Sequence, residues 1–205
     1  MAKKILIATT NPGKIAELKS MLGRNVKWLS LSDFKNIPEV QEDGSTFIEN
    51  ARKKASQYAK VTGLWAIADD SGLVIDALGG APGVESARFS GEKDGNRTLI
   101  DHKNMAKVIE LLRGIPKEQR TARFVCCLCL ASPDEVLIET EGTLEGLITD
   151  REIGENGFGY DPLFFVPHLN KTVAQLTAEE KNAISHRGNV IRKLKPLLNQ
   201  LLLKH

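Results

Sequence analysis

The residues best suited to chemistry lie in Ala66-Ile-Ala-Asp-Asp-Ser-Gly-Leu73, where a short apolar run meets Asp69, Asp70, Ser71 and Gly72 before Val74 and Ile75 resume the apolar pattern. Adjacent carboxylates beside a hydroxyl suit a hard divalent cation, usually magnesium resting on substrate phosphates. The competing reading is a turn, for which Asp, Ser and Gly are common residues. Apolar runs of this length form buried strands, so the pattern predicts a strand that carries the acids to its end. Neighbouring side chains on a strand point to opposite faces, so Asp69 and Asp70 can address one ligand only if the chain turns at Ser71-Gly72. Glu42, in the acidic stretch from Pro38 to Gly44, is a candidate second metal carboxylate, with an exposed loop acid as the alternative.

Three other stretches could meet an anion or a ring. Ile5 to Ala8 reads as a strand, Thr9-Thr10-Asn11-Pro12-Gly13-Lys14 as a loop, and Ile15, Leu18, Met21 and Leu22 recur at helical spacing. Strand, loop and helix in that order aim backbone N–H groups and a helix N-terminus at an anion, though a tight turn capping the helix reads equally well. It is not a Walker A loop, because Ala8 and Ile15 stand where that motif needs Gly and Ser or Thr. Thr46 and Glu49 form a capping box that opens a helix to about Thr62, with Phe47, Ala51, Ala55 and Tyr58 on its buried face. Arg52, Lys53 and Lys54 make a basic cluster on it, for which a solvated face is the default. In Gly154 to Pro162, three glycines let the backbone approach a ligand and Phe158 and Tyr160 offer π-faces for a purine; aromatics covering the core are the alternative. A second capping box, Thr177 and Glu180, opens a helix carrying Lys181 that runs to a break at His186-Arg187, which brings cationic donors together. Ser185 beside His186 does not indicate a serine hydrolase, because no G-x-S-x-G elbow is present.

The elements that must position these residues point to an α/β fold. Ala122–Leu130 and Val136–Ile148 are strand patterns joined through Ser132-Pro133-Asp134-Glu135, a hairpin that makes the sheet mixed. Thr98 to Leu112 reads as a helix with Leu99, Met105, Ile109 and Leu112 inward, and Val190 to Leu203 as an amphipathic helix that Pro196 should kink. At 205 residues the chain suits one sizeable domain or two small lobes. With 28 Lys and Arg against 26 Asp and Glu the net charge is only +2, which argues against stable nucleic-acid binding. Cys126, Cys127 and Cys129 cluster inside one strand pattern, which fits a reducing compartment better than a disulfide framework. The apolar run to Ala8 is too short for a signal peptide or a membrane span, so a cytoplasmic protein without membrane association is expected.

Thr9-Thr-Asn-Pro-Gly-Lys14, Thr46-Phe-Ile-Glu-Asn-Ala51, Ala68-Asp-Asp-Ser-Gly72, Gly79-Gly-Ala-Pro-Gly83, Gly157-Phe-Gly-Tyr-Asp161 and Ser185-His-Arg-Gly188 together resemble the inosine triphosphate pyrophosphatase family, the RdgB/HAM1-type noncanonical purine nucleoside triphosphate pyrophosphatases. The resemblance spans nearly the whole chain. It implies an elongated mixed β-sheet flanked by helices, a single domain over residues 1–205 with two lobes and the active-site cleft between them, and a homodimer. The implied reaction is magnesium-dependent hydrolysis of ITP, dITP and XTP to the monophosphate and pyrophosphate, which keeps deaminated purines out of DNA and RNA. Carried over by residue, Thr9, Thr10, Asn11, Pro12, Gly13 and Lys14 bind the triphosphate with Lys54, Asp70 is the catalytic carboxylate, and Ser71 contacts substrate. Phe158, Gly159, Tyr160 and Asp161 pack on and read the nucleotide, Lys181, His186 and Arg187 complete the base pocket, and Glu42 joins Asp70 at Mg2+. The rival readings are a Maf-type pyrophosphatase for another nucleotide class and a nucleotide- or RNA-binding module without turnover.

Overall fold

Ile5, Leu6 and Ile7 are all fully buried, which a strand achieves only when both its faces are covered. They form β1, Lys4–Ile7, which pairs in parallel with β2, Lys27–Ser30, on one side and with β3, Trp65–Ile75, on the other. The computed structural model describes residues 3–22, 26–92 and 94–203. β4, Thr121–Ala131, and β5, Val136–Ile148, follow β3 across the sheet, then β6, Phe164–Val166, and β7, Lys171–Thr172, giving seven strands in the order β2-β1-β3-β4-β5-β6-β7. β5 and β6 are antiparallel, as are β6 and β7, so the sheet is mixed as expected. The helices are α1, Pro12–Leu22, α2, Phe47–Thr62, α3, Arg97–Leu111, α4, Ala178–Ile184, and α5, His186–Leu202.

Both capping boxes form. Thr46 Oγ1 accepts from Glu49 N–H at 3.3 Å while Glu49 Oε2 accepts from Thr46 N–H at 3.1 Å. Thr177 and Glu180 exchange the same pair at 3.1 and 2.8 Å. Each satisfies two amides that a helix leaves orphaned at its start. α4 ends at the extended Ser185 and α5 begins at His186, which is the expected break. α5 carries Pro196 inside it.

The described chain divides into two compact units, one from residues 1–70, 126–142 and 187–205 and the other from 71–125 and 143–186. In the first, Ile5 and Ile7 of β1, Ile67 of β3 and Leu128 of β4 pack with Leu18 of α1 and with Val190, Ile191 and Leu194 of α5. In the second, Met105 and Val108 of α3 join Leu73, Phe124, Ile148 and Phe164 of the strands. Leu99, expected inward on α3, is 46% exposed. At 100° per residue it lies about 120° around the helix from Met105, whereas Val108 and Leu112 fall within about 60° of it, so the packed stripe passes Leu99 by. Among the described residues no helix is long and apolar enough to cross a membrane.

The three cysteines on β4 are free and buried. Burial pushes the Cys127 and Cys129 thiols up to about 12, with help from Glu141 and Glu139 respectively, and pushes Cys126 further. A raised thiol pKa means fewer thiolates at a given pH, and the thiolate is what reacts. At pH 8 a chromogenic disulfide reagent should therefore titrate no thiol quickly in the folded protein and all three at once in denaturant; fast labelling of the folded protein would contradict this burial.

Candidate active site

β3 does not turn at Ser71-Gly72, as the Asp-Ser-Gly run suggested it could; it stays extended from Trp65 to Ile75. The two acids consequently keep opposite faces. Asp69 turns to groups on α1 and α5, and Asp70 to groups on α2 and the loop before it.

Asp69 is 1% exposed. Its Oδ2 lies 3.0 Å from Lys14 Nζ and 2.9 Å from Arg187 Nη2, with Arg187 Nε at 3.3 Å. Arg187, itself 1% exposed, donates through Nη1 to Glu17 Oε2 at 2.5 Å. Burial alone would raise the Asp69 pKa, but Lys14 and Arg187, with Lys54 behind them, outweigh it and hold the carboxyl well below the usual aspartate range. Burial likewise works against the Arg187 charge and is overcome by the Asp69 and Glu17 carboxylates, so the guanidinium stays ionised. This is a buried ion cluster in which each charge has its counter-charge.

Asp70 is 6% exposed. Asn50 Nδ2 donates to its Oδ2 at 3.1 Å, and Lys54 Nζ stands 3.5 Å from Oδ1 and 2.9 Å from Glu42 Oε1. Asn50 is fixed in turn, accepting from Gly44 N–H at 2.8 Å. A Cβ at Gly44 would lie 2.7 Å from Asn50 Oδ1 and 2.9 Å from Glu49 Cβ, so the close approach needs glycine. Burial, with the Glu42 charge, raises the Asp70 pKa against the opposing pull of Lys54, Lys14 and Asn50. Burial also penalises Lys54, but Asp70, Asp69 and Glu42 more than offset it and raise its pKa. The expected basic cluster thus splits. Lys54 is buried among carboxylates, while Arg52 and Lys53 pair at the surface with Glu139 and Asp43.

Glu42 and Asp70 are two carboxylates converging on one cationic group. Among the described residues no group of three or more His, Cys, Asp or Glu side chains could hold a metal ion. Two carboxylates without a full cage fit magnesium, which takes one or two from protein and the rest from water and substrate phosphates.

The Thr9–Lys14 loop forms the helix cap that one of its two readings expects. Asn11 Oδ1 accepts from Gly13 N–H at 2.9 Å and Lys14 N–H at 3.2 Å, and Asn11 N–H donates to Thr9 Oγ1 at 3.2 Å. Asn11 Oδ1 thereby caps α1, with Pro12 at the first helical position where its missing N–H costs nothing. Lys14 projects its ammonium to Asp69.

In the second unit the Phe158–Asp161 loop gathers around one carboxylate. Asp161 Oδ2 accepts from Phe158 N–H at 2.9 Å and Lys181 Nζ at 2.6 Å, and Lys181 Nζ lies 4.5 Å from the Phe158 ring centroid. Phe158 is half-buried. Tyr160, expected to offer a π-face, is instead 6% exposed and donates its OH to the Ser86 carbonyl at 2.9 Å. A ring in that core with its hydroxyl satisfied is structural. His186 stacks on Phe124 at 4.8 Å between centroids, and Ser71 is half-buried. Arg187, expected in the base pocket, pairs in the first unit with Asp69 and Glu17, as a buried guanidinium needs counter-charges.

A family model described as the Ham1 family matches residues 5–197. The chain belongs to the Ham1 family. A protein of Desulforamulus reducens named dITP/XTP pyrophosphatase is 49% identical over 202 residues, spanning 97% of this chain and 96% of the relative. One of Bacillus subtilis with the same name is 49% identical over 199 residues, spanning 96% and 97%. The solved Ham1 protein of Staphylococcus aureus superposes with a TM-score of 0.85 at 42% identity, and a HAM1 protein from Coxiella burnetii with 0.86 at 40%; each pairing covers 97% of this chain and 99% of the other.

Sequence reasoning about this Ham1-family chain missed Glu17, Asn50 and Asp69 as partners. Asn50 carried the best signal, since it follows Glu49 inside the capping segment. Nothing local marks Glu17, whose contact with Arg187 spans 170 positions.

Proposed function

We propose that the chain hydrolyses noncanonical purine nucleoside triphosphates, ITP, dITP and XTP, to the monophosphate and pyrophosphate. The observation that carries the reading is the Glu42–Lys54–Asp70 constellation, a buried carboxylate of raised pKa beside an ammonium and a second acid. The names of the two relatives point the same way.

Asp70 is the general base: it accepts the proton of a water aimed at the α-phosphorus, and its raised pKa moves it toward the range where a carboxylate both accepts and releases protons. Asn50 and Lys54 fix its orientation. Lys54 and Lys14 face the triphosphate and stabilise charge that builds on its oxygens, which a water-poor site strengthens. Magnesium bound by Glu42 and Asp70 would neutralise phosphate charge. Phe158 stacks on the purine, Ser71 and Asp161 complete the substrate contacts, and Lys181 and His186 present donors to the 6-keto oxygen. Adenine carries a 6-amino donor there, so ATP would leave donors facing each other, and a mismatch of this kind discriminates by up to roughly 10⁴-fold. Arg187 acts through Asp69, holding the acid on which Lys14 rests. A homodimer in the cytoplasm accompanies this reading; the clustered free thiols fit that compartment.

Incubating ITP, dITP, XTP, GTP, ATP and a modified pyrimidine triphosphate with magnesium, and scoring pyrophosphate release, tests the proposal. ITP, dITP and XTP should be turned over far faster than the rest, and a chelator should stop all of it. A preference for the pyrimidine would favour a Maf-type enzyme, and binding without turnover a passive nucleotide-binding module.

A further inference from the structure

Asp101 lies on α3, outside the residues given a role above, yet its carboxylate is committed to the nucleoside loop. Its Oδ2 accepts from Gly159 N–H at 3.0 Å across 58 positions of chain, and its Oδ1 lies 2.9 Å from Arg97 Nε. Asp101 is 8% exposed, and a carboxylate so buried is costly unless it is paired and hydrogen-bonded. It is not a helix cap. Asn96 already caps α3 by accepting from Leu99 N–H at 2.9 Å, and Asp101 sits beyond the first turn, where amides need no outside partner.

Consecutive amides of the loop are therefore held by different carboxylates, Phe158 N–H by Asp161 and Gly159 N–H by Asp101. Gly159 adopts a left-handed φ of 63°, so the turn reverses here and the direction of its amide decides where the preceding ring points. Asn104, three residues along the same face of α3, donates to the Ser86 carbonyl at 3.4 Å, the oxygen that also receives the Tyr160 hydroxyl. This helix face thus bonds the loop directly at Gly159 and shares the Ser86 carbonyl with the next residue, Tyr160.

We propose that Asp101 is a positioning residue for the nucleoside end of the substrate: by holding the Gly159 amide it sets the Phe158 ring against which the purine stacks. The proposal rests on the reading of the Phe158 loop as the base site. It assigns Asp101 to recognition and not to the chemical step.

The test measures KM and kcat for ITP, and inhibition by inorganic tripolyphosphate, which has the phosphate chain and no base. Asp101→Ala should raise KM for ITP by ~10-fold, the loss of one buried charge-assisted hydrogen bond, with kcat and tripolyphosphate inhibition little changed. Asp101→Asn, which keeps an acceptor of the same shape, should restore most of the affinity. If Asp101→Ala does not fold, Asp101→Glu serves, because the extra methylene displaces the carboxylate and should raise KM in the same selective way. An unchanged KM, or KM and tripolyphosphate inhibition weakening together, would overturn the proposal. Phe158→Ala separates the two levels. If that variant leaves KM unchanged the base-site reading itself fails; if it raises KM while the Asp101 variants do not, only the role of Asp101 fails.

Discussion

Asp70→Asn should lower the turnover of ITP by at least ~10²-fold while the protein stays folded. Asparagine keeps the size of the side chain and an oxygen for Asn50 Nδ2 to donate to, so the surroundings of β3 are preserved. What it removes is the carboxylate charge that can take a proton from water, and saturating magnesium offsets its weaker hold on the metal. It also leaves Lys54 with Asp69 and Glu42 as its counter-charges, which a modest change in melting temperature would register. Steady-state kinetics at saturating magnesium, with circular dichroism to confirm folding, decide the matter. A variant with near wild-type turnover would mean that Asp70 is not the base.

Asp69→Asn acts on the opposite face of the same strand and should cost stability first. The substitution keeps shape and removes the charge that faces Lys14 and Arg187, and breaking a buried ion pair from one side costs about 3 kcal/mol or more. For a chain of this length that is a fall of roughly 6 to 12 °C in melting temperature at pH 7. The pH dependence has a defined sign. Asp69 has a folded pKa below its unfolded value, so its contribution is complete above the ordinary aspartate pKa of about 3.9 and fades as pH falls toward the lower folded value. The gap between wild type and variant should be widest near neutrality and should narrow below about pH 4. Equal melting temperatures at pH 7 would show that the ion cluster adds nothing net to the fold.

These two adjacent acids show how far the sequence could be read. Residue types and order were enough to pick out Asp70, Glu42 and Lys14 as candidates, whereas Lys54 read as solvated helix face and came in only with the family resemblance. The capping boxes placed two helix starts and the hairpin pattern of β4 and β5 the mixed sheet, because each depends on neighbours within a few positions. The continuation of β3 through Asp-Ser-Gly was hidden. Those residues favour a turn in isolation, but strands paired on both sides of β3 override local preference, as packing commonly does in sheets. The ion-pair partners of Arg187 were hidden for a related reason. Its partner Asp69 is 118 positions away, and no periodicity or spacing records a contact of that range. Tyr160 and Asp101 meet partners 74 and 58 positions away and were equally invisible; an aromatic in a glycine-rich loop reads the same whether it faces solvent or core.

The central claim is that a water activated by Asp70 attacks the α-phosphorus, and hydrolysis in water enriched in heavy oxygen tests it most directly. With ITP and magnesium, mass spectrometry of the products should find the label in the inosine monophosphate and none in the pyrophosphate. Label in the pyrophosphate, or release of inorganic phosphate in place of pyrophosphate, would contradict it.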